Sequence, residues 1–378
     1  MAIFDSIINV DEWISDYYLT TDEKKGESFS KRADAAIKQW KADDKASGAA
    51  VSPWGRMTSN RNQLQTALST IDADVKISVI NAAEKIEKTF GYPSPTEVSI
   101  DYSGDVIKLS AARDAAGTTL YLRTERLADV EDLPTTKPLE AATKNEKPWD
   151  VPVSRIITEV FLSERPPTFV VLIAGNMVVL AERESWPLGR FLAIDVALAA
   201  ERNDTKARGE LSLVVASLAR EHIERAADGT TWWLQTIEES REHAVKVSED
   251  LREAIKESIE IIGNDVLKRY RHQGFDIDDV DGNELSKQAL RYLYRILFLL
   301  FAEASPEVNI LPTGVPDYDE GYGLANLRDQ ILVEPPTDRA ANGTYLYDSL
   351  NLLFNLVNTG HDPNDQETHC MMLTQKKA

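Results

Sequence analysis

One stretch in the C-terminal third of the chain, residues 288–304 (QALRYLYRILFLLFAEA), constrains the fold more than any other. In a helix, this stretch would carry apolar and aromatic side chains on every face, interrupted only by Arg291, Arg295 and Glu303. A helix that is apolar all round is buried in a large protein or in a membrane. This one is too short and too charged to span a bilayer. We therefore predict a central, buried helix within a packed helical domain.

The two arginines of this stretch need partners if the helix is buried. Arg291 and Arg295 are four residues apart, so they share one face of the helix. Because a buried charge needs an opposite charge, we expect an ion pair with Glu303 or with an acid on another helix, which gives both arginines a structural role. The apolar positions expected to form the core are Leu293, Ile296, Leu297 and Leu300.

Length, charge and cysteine content narrow the class of protein. A chain of 378 residues can form two or three domains with sizeable cores. Its formal net charge of −20 opposes a general nucleic-acid-binding surface, because such surfaces are built from lysine and arginine, but it is compatible with a local basic stripe. The single cysteine, Cys370, fits a reducing compartment. The N-terminus lacks the pattern of a signal peptide, so we expect a cytoplasmic protein without a membrane span.

Changes in hydrophobic period divide the chain into four regions. Residues 1–92 and 205–360 repeat apolar side chains at helical spacing, whereas residues 93–204 mix this spacing with the alternation typical of strands. Residues 361–378 are polar and aperiodic, which predicts a disordered tail. The predicted fold class is α+β and mainly helical, with N-terminal helices, a mixed α/β domain and a C-terminal helical domain.

Individual elements can be predicted from the same periods. Gly175-Asn176 joins two apolar runs, which is the pattern of a β-hairpin. Gly91 and Pro93 end a long helical pattern. The main expected elements are helices over 60–90, 154–163, 244–270, 286–304 and 346–357, a hairpin over 168–181 and a strand over 190–195.

Several segments, in this order along the chain, carry a family resemblance. They are FDSIINVDEW and DYYL near the N-terminus, WPLGRFLAID at 186–195, ESREHAVKVSEDL at 239–251, residues 290–304, and GTYLYDSL at 343–350. Together they resemble the N-terminal region of large bacterial DNA adenine methyltransferases. These are the type IIG restriction–modification enzymes and the methylases of the BREX and DISARM phage-defence systems. The resemblance implies that residues 93–204 form a nuclease-like α/β module.

The catalytic motifs of such methylases do not occur in the sequence. The enzymes need an Asn/Asp-Pro-Pro-aromatic motif, which holds the flipped adenine, and a glycine-rich turn for S-adenosylmethionine. The Pro-Pro pairs at 166–167 and 335–336 follow an arginine and a glutamate where the motif needs Asn or Asp, and both precede a threonine where it needs an aromatic residue. We therefore expect no catalytic or cofactor-binding residues here. S-adenosylmethionine is expected only in the missing catalytic domain.

The α/β region also raises the alternative of a metal-dependent nuclease. Restriction nucleases hold a divalent metal with an Asp and an acid-x-Lys pair on adjacent strands. Asp101, Asp105 and Glu125 are the candidate acids, but Arg126 follows Glu125, and Lys108 is one residue too far from Asp105. Asp74-Val75-Lys76 has the spacing but lies in a helical pattern. No histidine pair has metal-binding spacing, so no metal site is expected.

One basic stripe could contact DNA. Lys268, Arg269 and Arg271 end a long helix and could bind phosphates. The alternative is that they complement the helix dipole. The leading hypothesis is a non-catalytic N-terminal segment of a DNA methyltransferase or restriction–modification protein. It would bind DNA weakly when alone and would position DNA, a methyltransferase domain or other defence-system subunits. An acidic protein-interaction scaffold is the first alternative and a nuclease the second.

Overall fold

The computed structural model describes residues 4–20, 28–72, 75–102, 105–143, 151–226, 228–278, 280–308, 310–332, 337 and 343–359. The chain is α+β and mainly helical, as predicted. It divides into two compact units, with the boundary between Ser248 and Glu249. The predicted tail, residues 361–378, lies outside the described residues.

The first unit contains one mixed sheet. Its strands are β1 (Ile7–Val10), β2 (Thr96–Tyr102), β3 (Asp105–Arg113), β4 (Thr119–Arg123), β5 (Ala141–Thr143), β6 (Phe169–Ala174), β7 (Met177–Glu182) and β8 (Phe191–Asp195). They lie in the order β1-β8-β7-β6-β4-β3-β2, and β5 also pairs with β3. The pair β4 and β6 is parallel, whereas the other described pairs are antiparallel.

Helices cover both faces of this sheet. They are α1 (Asp16–Thr20), α2 (Phe29–Ser47), α3 (Pro53–Ser69), α4 (Lys76–Phe90), α5 (Val153–Leu162), α6 (Val196–Arg202), α7 (Glu210–Leu218), α8 (Arg220–Ile223) and the start of α9 (Trp232–His272). The α5 helix belongs to the connection between the parallel strands β4 and β6, which requires a crossover. Every residue of β6 and β7 is buried. This explains why both strands have continuous apolar sequences and no alternation.

Two apolar clusters fill the space between helices and sheet. One cluster joins one face of the sheet to helices from both ends of the unit, and its largest fully buried side chains include Phe29, Met57, Leu64 and Trp233. The other joins the opposite face to α5 through side chains such as Ile156 and Val160, both almost fully buried. The sheet is therefore the central layer of the first unit.

The hairpin and the elements beside it confirm the sequence prediction. Ala174 pairs with Met177 across the turn, and Gly175 has a φ of +72°, a backbone conformation that favours glycine. The predicted strand over 190–195 is β8, and the predicted helix over 154–163 is α5.

The single helix predicted over 60–90 is wrong, because the structure has two helices there. α3 ends at Ser69 and α4 begins at Lys76, and the two pack against each other. Short polar side chains hydrogen-bond to the backbone near the break: the Ser78 hydroxyl donates to the Asp72 carbonyl at 2.8 Å. Such bonds compete with helix formation. The apolar period continues through the break because both helices bury a face in the same cluster.

The second unit is helical throughout its described part. It contains the rest of α9, α10 (Gly282–Ala304), α11 (Pro316–Gly321), α12 (Leu324–Ile331) and α13 (Tyr345–Thr359). The predicted helices over 286–304 and 346–357 correspond to α10 and α13. The sequence analysis grouped residues 205–248 with these helices, but contacts place them in the first unit, where Trp233 and Ile237 join the sheet-side cluster. A helical period shows that a face is buried without showing what covers it.

The prediction that α10 is buried on every face is wrong. Its buried residues are Ala289, Leu299 and Ala302, while Leu300 is 47% exposed. The other three predicted core positions, Leu293, Ile296 and Leu297, are half-buried. The apolar core of this unit is small and consists of Leu299, Ala302, Leu311, Tyr318, Leu324 and Leu353. The described helices therefore cover only part of the α10 surface.

Candidate functional site

The predicted basic stripe lies at the C-terminal end of α9. Lys268, Arg269 and Arg271 are all exposed. Arg269 is paired, because its Nε donates to Asp265 Oδ2 one turn earlier at 2.7 Å. Lys268 and Arg271 form no ion pair with any described residue. The two remaining cations could contact phosphates, and they also complement the helix dipole.

Acidic residues follow the stripe closely. Asp276 and Asp278 lie in the loop after α9, and Asp281 caps α10 by accepting hydrogen bonds from the backbone of Asn283 and Glu284. Tyr270, the aromatic residue of the stripe, packs against Phe275 with ring centroids 5.7 Å apart. The stripe is therefore a small basic patch followed closely in sequence by acidic residues.

The candidate nuclease acids lie on or just after neighbouring strands of the sheet. Asp101 is exposed on β2 opposite Val106, and Asp105 begins β3 opposite Tyr102. Glu125 is exposed just after β4. Among the described residues, no group of three or more His, Cys, Asp or Glu side chains is arranged to hold a metal ion. In the acid-x-Lys motif at 74–76, Asp74 lies outside the described residues, and Lys76 begins α4.

An open groove of about 720 Å³ lies over the edge of this sheet. Its lining includes three lysines and three glutamates, namely Lys76, Lys108, Lys137, Glu97, Glu125 and Glu140. Lys108 Nζ lies 2.8 Å from Glu97, and Lys76 Nζ lies 3.3 Å from Glu140. Because the named lysines and carboxylates are equal in number and four of the six pair with one another, they give the groove no excess charge to select an anion or a cation.

One buried ion pair of the first unit has a structural role. Arg123 on β4 and Glu87 on α4 form two parallel hydrogen bonds of 2.7 Å. The hydrogen bond to Glu87 raises the pKa of Arg123 above its usual value. Both side chains are about one-tenth exposed, and the pair connects a helix to the sheet.

A second buried group is the imidazole of His222. It lies between Trp40 and Trp232, with ring centroids 4.6 and 4.4 Å away, and Nδ1 donates to the Ala216 carbonyl at 2.7 Å. Burial lowers its pKa to about 4, because an apolar site disfavours the charged form. This histidine therefore packs as a neutral aromatic ring at neutral pH.

The most distinctive surface lies in the second unit, in a groove between α10 and α13. Tyr292 of α10 contacts Tyr347 and Phe354 of α13, with ring centroids 6.3 and 6.1 Å apart. The Arg295 guanidinium lies over the Phe354 ring at 5.7 Å. The groove measures about 480 Å³ and is lined by Tyr294, Arg295, Phe298, Leu299, Phe354, Asn355, Val357 and Asn358.

The ion pairs expected for the α10 arginines do not form among the described residues. Glu303 accepts hydrogen bonds from the Tyr318 hydroxyl at 2.8 Å and from the Leu324 amide at 2.7 Å, so it supports the neighbouring helices. Arg291 and Arg295 are exposed and form no ion pair with any described residue. Their assignment as buried structural charges is therefore wrong.

No protein-family model, curated protein or solved structure matches this chain. Within its described residues, no helix is both long and apolar enough to cross a membrane. The geometry of the chain itself therefore carries the functional argument.

Sequence reasoning missed the groove because it treated α10 as wholly buried. A signal was present: Arg291, Tyr294, Arg295, Phe298 and Phe301 recur at helical spacing and combine arginine with aromatic residues. That composition is enriched in protein–protein interfaces. A largely apolar helix that carries two arginines one turn apart can indicate a binding surface as well as a core.

Proposed function

We propose that this chain is a non-catalytic N-terminal segment of a DNA adenine methyltransferase or restriction–modification protein of the phage-defence type, and that its helical unit docks a methyltransferase domain. One observation carries the proposal: α10 exposes three aromatic side chains on one helix face. Tyr294, Phe298 and Phe301 are 61%, 44% and 56% exposed. Soluble monomers rarely expose large apolar patches, and such patches mark interaction sites.

Two further features support the same assignment. The segments that resemble the methylases occur in the family's order along most of the chain. Seven of the eight described strands lie within residues 93–204, the range for which the resemblance implies an α/β module, while β1 lies at residues 7–10. Fold-level likeness alone does not specify function, so the exposed helical surface is the stronger support.

The DNA-binding part of the proposal is modest. With a net charge of −20, the general surface repels a duplex. Lys268 and Arg271 would position DNA that is held mainly by the methyltransferase domain. The cofactor, S-adenosylmethionine, would also belong to that domain. The chain alone therefore contributes docking and orientation, and the chemistry comes from its partner.

Co-expression tests the proposal. The chain is produced with the adenine-methyltransferase domain encoded nearest to it, and N6-methyladenine in plasmid DNA is measured by mass spectrometry. We expect co-purification of the two proteins and no methyl transfer by the chain alone. A Tyr294→Ser/Phe298→Ser variant should abolish co-purification, whereas Tyr17→Ser, which removes an exposed aromatic in the first unit, should leave it unchanged.

Two results would overturn the proposal. Methyl transfer from labelled S-adenosylmethionine to duplex DNA by the purified chain alone would show that it is catalytic. Failure of the intact chain to associate with the methyltransferase domain would favour the alternative of a scaffold for an unrelated protein, which would use the same apolar surface.

A further inference from the structure

The groove between α10 and α13 has a rigid base. Leu299 of α10 and Leu353 of α13 are almost fully buried, at 1% and 3% exposure, and belong to the small core of the second unit. Phe298 and Phe354 line the groove above them. A site built on two packed helices holds its shape better than one built on loops.

The exposed aromatic residues follow a line along α10. Tyr294, Phe298 and Phe301 are separated by four and three residues, so they lie on one helix face. At 1.5 Å per residue they extend over roughly 10 Å. Tyr294 and Phe298 line the groove, and Phe301 continues the same face of α10 beyond it. This spacing suits a helix laid along that face, because an amphipathic helix presents its own anchors at the same intervals.

Arg295, the charged residue in the groove lining, is opposite in sign to the net charge of the chain. Arg291 and Arg295 lie one turn apart beside the aromatic line, and neither pairs with a described carboxylate. The Arg295 guanidinium is held over Phe354, which restricts its position. An unpaired guanidinium beside an apolar surface favours a carboxylate, which it can bind through two parallel hydrogen bonds.

We propose that the α10–α13 groove binds an amphipathic helix of a partner protein through its apolar face, with acidic residues of that helix paired to Arg291 and Arg295. The inference rests on the proposed function where that helix belongs to a methyltransferase domain, and it holds for any partner with this chemistry. Beyond the proposed function, it specifies that the bound element is a helix and that the helix is acidic.

The other two classes of occupant fit the charges less well. A nucleic acid carries a negative charge at every phosphate, so the net charge of −20 repels it far more than a helix with a few carboxylates. A second copy of the chain would bring two equal net charges together and would place like-charged arginines against the same surface. An acidic helix meets both arginines and leaves the rest of the surface in solvent.

A peptide-binding experiment tests the proposal on the full chain. The probe is a fluorescein-labelled synthetic helix with leucine at i, i+4 and i+7 and glutamate flanking this stripe. Its matched control carries lysine in place of each glutamate. We expect the acidic peptide to bind at least tenfold more tightly than the basic one by fluorescence anisotropy. Arg291→Glu/Arg295→Glu should reverse this preference.

Two variants separate binding from folding. Arg183→Glu/Arg190→Glu makes the same charge change at exposed positions in the first unit and should leave peptide affinity unchanged. Tyr294→Ser/Phe298→Ser should remove peptide binding while far-UV circular dichroism and melting temperature stay at the parent values. Loss of peptide binding in the Arg183→Glu/Arg190→Glu control would overturn the assignment to the groove.

Three other outcomes would also overturn the inference. These are equal binding of both peptides, tighter binding of a single-stranded oligo-dT probe than of the acidic peptide, and self-association in sedimentation that Phe298→Ser removes. Failure of peptide binding at the groove is distinguishable from failure of the proposed function. The methyltransferase domain could still co-purify through another surface, whereas methyl transfer by the chain alone would leave the peptide result intact.

Discussion

The two units bury their apolar side chains to very different extents. In the first unit, the sheet lies between helices, and residues such as Leu172, Leu180 and Trp233 are completely buried. In the second unit, the longest apolar helix has three buried residues and several exposed aromatics. Both units have helical segments with strong apolar patterns, so composition does not explain the contrast. The first unit covers most of its apolar surface with its own elements, whereas the described part of the second unit leaves apolar side chains of α10 exposed.

The largest expected effect comes from the core of the first unit. Trp233→Ala removes a fully buried indole whose Nε1 donates to the Ser217 carbonyl at 2.8 Å. We expect a loss of about 3–5 kcal/mol in the free energy of unfolding. All seven tryptophans lie before residue 248, so tryptophan fluorescence during denaturation reports on this unit alone. A loss below about 1 kcal/mol would contradict a tightly packed core.

A second, pH-dependent effect belongs to the same unit. The pKa of His222 falls to about 4 in the folded chain, below its ordinary value near 6.5. The unfolded state therefore binds the proton first as pH falls, and stability drops between pH 6.5 and 4. The loss is up to about 3 kcal/mol. It is complete below pH 4 and absent above pH 6.5.

His222→Gln isolates this histidine from the carboxylates that also titrate. Glutamine cannot be protonated in this range, so the parent should lose stability relative to the variant as pH falls from 6.5 to 4. Urea denaturation followed by tryptophan fluorescence at several pH values measures the difference. A constant difference across this range would show that His222 does not titrate as its burial predicts.

The core of the second unit should respond more weakly. Leu299→Ala removes a buried side chain, and we expect a loss of about 2 kcal/mol, at the low end for such changes because the sparse surroundings can relax. Far-UV circular dichroism should show the change, while the tryptophan transition stays in place. Leu297→Ala, at a half-buried position, should cost less. An equal shift in both signals would mean that the two units unfold together.

The smallest effect concerns the basic end of α9. Replacing Lys268, Arg269 and Arg271 with glutamate should lower stability by only about 1 kcal/mol, since all three are exposed and the loss comes from the helix dipole and the Asp265 pair. If they touch phosphates, the variant should bind duplex DNA more weakly and with a shallower salt dependence, about equally for all sequences. Unchanged affinity in a salt-titrated gel shift would assign them to the helix dipole alone.

The fold could be predicted wherever local pattern decides structure. The hairpin β6–β7 follows from two apolar runs joined by Gly175, and α5 and α13 follow from helical spacing. Pairing between distant segments could not be predicted this way. β1 pairs with β8 through contacts such as Ile7 with Ile194. The sequence of a four-residue strand does not indicate which distant strand it pairs with.

The candidate site could be predicted only in part. Lys268, Arg269 and Arg271 are exposed at a helix end, but the pairing of Arg269 with Asp265 required the structure. The groove at α10 escaped prediction because the same apolar pattern is compatible with burial inside the chain and with burial against a partner. Arg291 and Arg295 favour burial against a partner over burial inside the chain, but only because the structure shows that neither arginine pairs with a described carboxylate.

The pairing of β1 with β8 also governs the order in which this protein can fold during its synthesis. Residues 7–10 leave the ribosome about 180 residues before their hydrogen-bonding partners at 191–194. At ordinary translation rates of 5–20 residues per second, the first strand waits on the order of ten seconds or more for its partner. During that time, its backbone amides and carbonyls are open to other extended chains. The N-terminal strand is thus the last part of the sheet to be secured, and nascent chains that stall before β8 is made are exposed to aggregation.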